Sequence, residues 1–164
     1  MAEQILTQKY LHSIFDYKDG MLYWKISPAK NVKEGMRAGH VSKNGYERIK
    51  FNKNLYFSHR LIFLMHYGYF PKEIDHIDGN PSNNNIGNLR SCNHLSNMKN
   101  TKIQKNNTSG IKGVSWHKST NKWRVQIGVD GKVKHIGTFD DLELAKTVAI
   151  DMRNKFHGNF ARHE

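Results

Sequence analysis

The chain of 164 residues holds a single cysteine, Cys92. One thiol cannot build an intramolecular disulfide framework or supply a Cys-rich zinc finger. A reducing cytosol is the compartment this usage favours. Long apolar runs are missing too. None approaches the roughly 20 residues needed to span a bilayer, which argues against a transmembrane helix and a membrane partner. The opening segment, MAEQILTQKYLHSIF, is too polar to read as a signal peptide. Acidic residues are few: 14 Asp and Glu stand against 26 Lys and Arg, which leaves +12 with His neutral and a pI near 9.8. Apolar content is 37% and mean hydropathy −0.74. Eight Phe, seven Tyr and three Trp remain, and they argue against wholesale disorder.

A pI this high is the electrostatic footprint of a nucleic-acid binder. The excess runs along the whole chain, +5 over residues 1–98, +3 over 99–110 and +4 over 111–164. It is not confined to a tail. The competing reading is a basic protein with no polyanion partner.

Residues 7–15 suggest a short helix with Thr7 as N-cap and Tyr10, Leu11, Ile14 and Phe15 at helical spacing. Strand candidates follow at 21–26, 46–52 and 55–57, with turn signals at Lys18-Asp19-Gly20 and Asn44-Gly45. Residues 27–44 read as a basic loop. Lys30, Lys33, Arg37, Lys43, Arg48, Lys50 and Lys53 form an arm that could follow a phosphate backbone. A second helix fits 58–67, with Ser58 as N-cap, Gly68 past its end, and Leu61, Ile62, Leu64 and Met65 inward. Residues 101–110 have no acidic side chain and little apolar content, and read as a linker. Beyond it come strands at 111–116, 123–129 and 134–139. A helix capped by Asp140 or Asp141 follows, with Ala145, Val148, Ala149, Met152 and Phe156 as its apolar stripe. The organisation expected is therefore 1–100, a linker over 101–110, and a small domain over 111–164.

The middle segment, EIDHIDGNPSNNNIGNLRSCNHLSNMKN over 73–100, carries chemistry. Asp75 and His76 sit in a short apolar strand ending at the turn Asp78-Gly79-Asn80-Pro81. Asn88 lies 13 residues after Asp75, and Asn97 lies 22 after it in a polar helix over about 94–101. A strand, a loop, a second strand and that helix would bring Asp75, His76 and Asn97 together. A carboxylate and an amide oxygen are hard ligands suited to Mg²⁺, which keeps open positions for phosphate and water. An imidazole with an ordinary pKa near 6.5 can take a proton from water near neutral pH. Asp78 reads as ordering its own turn. His94 could reach phosphate or the metal or simply be exposed, and Cys92 reads as a small core residue.

Taken with their joint spacing, His59-Arg60-Leu61, Asp75 to Asn80, Asn83 to Asn85, Asn88-Leu89-Arg90, Asn97 and Asn100 resemble the phage and intron-encoded HNH endonucleases. The resemblance implies a ββα-metal fold, over about 55–100. It implies His76 as general base, Asp75 and Asn97 as ligands of one divalent ion (Mg²⁺ or Mn²⁺), and Asn88 as the residue that holds the loop and helps orient His76. Asn stands where the family name has its last His, which disfavours tight zinc binding. His59 is expected in a supporting or DNA-facing role, and Arg90 at a phosphate or an acidic side chain.

The stretch 109–160 contains Gly113-Val114-Ser115-Trp116, Lys122 to Ile127, His135 to Phe139, an alanine-bearing helix and His157-Gly158. It resembles the AP2 DNA-binding domain, which implies a three-stranded antiparallel sheet on one helix with one sheet face in the major groove. Alternation along 123–127 puts Trp123, Val125 and Ile127 on one face and Arg124 and Gln126 on the other. Arg and Gln both read base edges. Trp116, Lys118, Lys122, Lys134 and His135 are expected to add stacking and phosphate contacts.

Together these readings predict an α+β chain that cuts double-stranded DNA with its first part and selects the site with its second. A monomer would nick, and a DNA-induced dimer would cut both strands. The resemblance implies a homing-type setting, in the cytoplasm of a bacterial host if phage-encoded. The alternatives are a non-catalytic DNA-binding regulator and an RNA-directed nuclease.

Overall fold

In the computed structural model, residues 6–93, 103 and 106–163 are described. The chain forms two units, Met1–Cys92 and Asn93–Glu164.

In the first unit, Thr7 caps α1 (Gln8–Ile14) by accepting from the Tyr10 amide at 3.1 Å. The expected helix stops one residue early because Phe15 turns extended and opens β1 (Phe15–Lys18). β1 pairs antiparallel with β2 (Met21–Trp24) across Asp19-Gly20, both at positive φ. A basic stretch leads to β3 (His40–Val41), β4 (Glu47–Phe51) and β5 (Asn54–Phe57), in the sheet order β3-β4-β5. The alternation in β4 buries Glu47, Ile49 and Phe51.

The helix α2 (Ser58–Tyr67) follows directly. Ser58 is its first helical residue rather than its cap, because Phe57 takes the extended cap position without a side-chain bond. Gly68 ends it in the left-handed region that glycine enters without a Cβ clash. Leu61 to Met65 join Leu11, Phe15, Leu22, Trp24, Ile49 and Leu89 in one continuous apolar core. The strands β6 (Glu73–His76) and β7 (Leu89–Cys92) then pair antiparallel, with Asp75 opposite Arg90 and His76 opposite Leu89. The polar helix expected over 94–101 lies outside the described residues.

In the second unit, β8 (Val114–His117), β9 (Lys122–Val129) and β10 (Lys132–Phe139) form an antiparallel sheet in the order β10-β9-β8. Asp130-Gly131 makes the second hairpin turn, as its residue types predict. Between His135 and Gly137 the β10–β9 register slips by one residue, a bulge at Ile136. Asp141 caps α3 (Leu142–His157), accepting from Leu144 at 2.7 Å. Val114, Val125, Ala145 and Ala149 form the core.

The buried stripe of α3 continues at i+4 spacing into Arg153 and His157, which the sequence reading left out. Arg153 donates to the Lys112 carbonyl, and His157 Nε2 lies 2.7 Å from the Gly128 carbonyl. In the stretch expected as a linker, Asn107 bonds the Ile111 carbonyl and Ser109 the Val114 carbonyl.

Candidate functional site

The β6–β7 hairpin places Asp75 and His76 on consecutive residues, each 6% exposed. Asp75 meets Arg90, its cross-strand partner. The Arg90 Nη2 and Nε both donate to Asp75 Oδ2, at 2.6 and 2.8 Å. Charge-assisted bonds of this kind are short and directional, and here they fix the carboxylate plane. The register explains why Arg90 is engaged inward rather than held out to a phosphate.

His76 Nε2 lies 3.0 Å from Oδ1 of Asn84, which is 2% exposed. The imidazole also meets aromatic neighbours. His59 stands edge-on at 5.2 Å between ring centroids, and Tyr46 lies 6.1 Å away. His59 itself is 8% exposed, so it supports the site from within rather than facing outward. Its Nδ1 has no hydrogen-bond partner among the described residues. Burial, then the neighbouring His76 and Arg60 charges, lower its pKa to about 3, so the ring is neutral at physiological pH.

The loop between β6 and β7 is held by its own amides. The Asn88 side chain accepts from the Asp78 amide at 3.0 Å. It donates to Asp78 Oδ1 at 2.9 Å and to the Asn83 carbonyl at 2.8 Å. Asp78 also receives the Asn80 amide and the Asn83 side chain. Burial pushes the Asp78 carboxyl up. The bonds from Asn80, Asn83 and Asn88 and the nearby His76 outweigh it, and the pKa ends below the ordinary value. The Asn88 side chain is thus bonded within the loop, while the Asn84 side chain is hydrogen-bonded to His76.

Two hairpins brace this loop from outside. Gly20, at φ +82, sits so close to Asn85 that a Cβ would fall 2.7 Å from its backbone nitrogen. The Tyr17 hydroxyl receives the Ile86 amide. From the β3–β4 turn, the Gly45 carbonyl accepts from Ser82 Oγ at 2.6 Å.

Asn97, expected as a metal ligand with Asp75, lies outside the described residues, as do His94 and Asn100. Among the described residues no group of three His, Cys, Asp or Glu converges as a metal site. The donors present, a fixed carboxylate beside an imidazole with no thiolate cluster, suit a hard divalent ion and not a closed zinc site.

Basic residues of the first unit sort by face. Arg37 is tied to buried Glu47 at 2.7 Å. Pairing puts His40, Arg48 and Phe57 on one face of the β3–β5 sheet, with Lys50 and Leu55 alongside. The Arg48 guanidinium stacks over Phe57 at 4.8 Å.

In the second unit, cross-strand pairing defines the face opposite α3. Arg124 lies at its centre between Ser115 and Thr138, Gln126 pairs with His135, and Lys122 pairs with His117. Lys118 stands exposed in the adjoining turn. Arg124 Nε is buried and has no hydrogen-bond partner among the described residues, while Lys122 bonds Asp140 at 3.0 Å.

Two residues expected at DNA do not share that face. Lys134 pairs with buried Ile127, and its ammonium sits over the Phe156 ring at 4.6 Å, on the helix side. Trp116 pairs with Trp123, their centroids 5.0 Å apart, and is 43% exposed on the helix side. The alternation of the strands forces both placements.

Comparison with known proteins matches residues 56–99 to the HNH endonuclease family and residues 109–159 to the AP2 domain. Protein 3.8 of Escherichia phage T7 is 42% identical over 95 residues, covering 58% of this chain and 75% of that protein. No solved structure matches. Among the described residues no helix is long and apolar enough to cross a membrane.

Proposed function

This chain belongs to the HNH endonuclease family and carries an AP2 domain, and from that membership we propose a metal-dependent endonuclease that hydrolyses a phosphodiester bond in double-stranded DNA. The observation that carries the reading is the Asp75–His76 pair, buried side by side with a separate partner fixing each. Burying a carboxylate and an imidazole costs free energy unless both are well bonded. Fixed geometry at a reacting centre is what such an outlay secures.

In this reading Asp75 and Asn97 hold one divalent ion, Mg²⁺ or Mn²⁺. When bound, the ion supplies charge stabilisation at the phosphate and the departing oxygen. His76 accepts a proton from the attacking water at an imidazole nitrogen, which is worth about 10²–10⁴-fold. Arg90 keeps the Asp75 carboxylate aimed, and Asn88 keeps the loop closed. His59, neutral and buried, backs His76 without adding a charge.

The AP2 unit contributes site recognition through Arg124, Gln126 and His135, with Lys118 and Lys122 at phosphates. One active site cuts one strand per encounter, so the monomer nicks, and a double-strand break needs a DNA-induced dimer or a second event. In this reading the AP2 domain begins after the stretch 101–110, inside the structural unit that starts at Asn93. The likeness to a phage protein fits a homing-type role in the cytoplasm of a bacterial host.

The test is nicking of a supercoiled plasmid with Mg²⁺ or Mn²⁺. Wild type nicks, and His76→Ala and an EDTA control do not. Equal nicking by His76→Ala removes His76 as the base. Duplex binding without cleavage in either metal turns the protein into a non-catalytic DNA-binding regulator. Competition between duplex DNA and RNA at one salt concentration separates the substrate classes.

A further inference from the structure

We infer that Asn84 is the positioning residue of His76, its side-chain carbonyl holding the Nε2–H so that Nδ1 carries the lone pair that accepts the proton. The inference rests on the reading of His76 as the general base. Asn84 is 2% exposed and His76 6%, and their 3.0 Å contact is buried on both sides. A carbonyl oxygen can only accept, so the nitrogen that meets it must be the protonated one. In a neutral imidazole the other nitrogen is then the acceptor, and the hydrogen bond selects the tautomer.

Packing adds to the hydrogen bond in setting the ring's orientation. His59 and Tyr46 lie against the ring and limit its rotation. His59 does not compete with Asn84 for Nε2 as a charged group, because it stays neutral down to about pH 3. Asn88 cannot take the role, since its side-chain bonds run to Asp78 and to the Asn83 carbonyl. Asn84 is also well placed to stay put. Its two neighbours are anchored, with the Asn83 side chain on Asp78 and the Asn85 side chain capping the turn Ile86–Asn88. The loop therefore presents the Asn84 amide from a fixed backbone.

The experiment uses the full-length protein and two substitutions. Asn84→Leu keeps the branched shape, with somewhat more bulk, and removes the acceptor. Asn84→Asp restores an acceptor oxygen. The expected result for Asn84→Leu is a kcat for plasmid nicking lower by about 10–100-fold with KM little changed, the usual cost of losing an orienting partner. Asn84→Asp recovers most of that loss.

Imidazole ¹⁵N spectra at pH 8, with His76 assigned by its disappearance in His76→Gln, show the Nε2–H tautomer in wild type and a mixture in Asn84→Leu. An Nδ1–H tautomer in wild type overturns the inference. So does a folded Asn84→Leu with unchanged kcat, or an Asn84→Asp as impaired as Asn84→Leu. If Asn84→Leu does not fold, the wild-type tautomer and Asn84→Asp still decide. If wild type cuts nothing, the nuclease reading fails while the spectra still report on Asn84.

Discussion

The two units of this chain handle polar side chains in opposite ways. The first buries them. Asp75, His76, His59, Glu47 and Asn84 all lie inside, beside a core of Leu, Ile, Phe, Trp and Met. The second keeps most of its working polar groups outside and has a core of two valines and two alanines. A reacting centre needs groups that do not move, and only a large apolar core can carry several buried polar groups at once. A surface that follows DNA needs reach and charge, which a thin two-layer fold provides cheaply. Arg124 is held on the central strand with its side chain half-buried between Ser115 and Thr138.

The sharpest way to break this contrast is to exchange effects between the units. His76→Ala is expected to lower nicking by at least about 10²-fold with duplex affinity unchanged. Arg124→Ala is expected to weaken binding to the preferred site by about 1–3 kcal/mol and leave metal-dependent cutting of non-specific DNA in place. Cleavage assays beside fluorescence anisotropy at fixed salt read both. If each substitution lowers both quantities equally, the division of labour is wrong.

Next comes stability. Leu61 is fully buried in the larger core, and Leu61→Ala is expected to cost about 2–5 kcal/mol. Calorimetry should show the loss in one transition, with the transition of the second unit unmoved. A single shared transition would show that the two cores unfold together.

The units also differ in how pH acts on them. His59 has an ordinary value of 6.5 and a folded value of about 3. Between those limits the unfolded chain binds the extra proton, so this contribution is complete above 6.5 and fades as pH falls toward 3. Lys112 goes from an ordinary 10.5 to about 8, through burial and the charges of Arg153 and Arg162. There too the unfolded chain binds more protons, and the second unit gains stability as pH rises from 8 to 10.5. Urea midpoints across pH 3–11 check both windows, and His59→Gln should flatten the acid one. The smallest effect expected is Asp141→Ala, which removes the α3 cap for about 1 kcal/mol.

Much of this was readable in the residues themselves. The Asp130-Gly131 turn, the alternation of 123–127 and the Asp75-His76 strand needed no tertiary information. What escaped was whatever depended on a partner strand. Phe15–Lys18 is a strand only because the Asp19-Gly20 turn returns β2 beside it. Arg90 faces Asp75 because of the β6–β7 register, which a twelve-residue loop hides.

Lys134 is the instructive placement. A two-residue turn at Asp130-Gly131 sets Lys134 opposite Ile127, so its side could have been counted from the turn. Its charge suggested the outer face, and its aliphatic stem over Phe156 allows the inner one. Arg153 escaped for a related reason: a charged side chain at the i+4 position of an alanine stripe is not expected inside.

The bulge at Ile136 has a bearing beyond the geometry of one strand. β10 is an edge, and an edge with regular spacing offers free amides and carbonyls to any second strand that drifts alongside. One slipped residue breaks that spacing midway, and Lys132 and Lys134 repel a like copy. A protein that gathers on a polyanion is concentrated far above its bulk level, where sheet-to-sheet fibre growth would otherwise find its seed. The kink leaves this edge a poor template for a second strand.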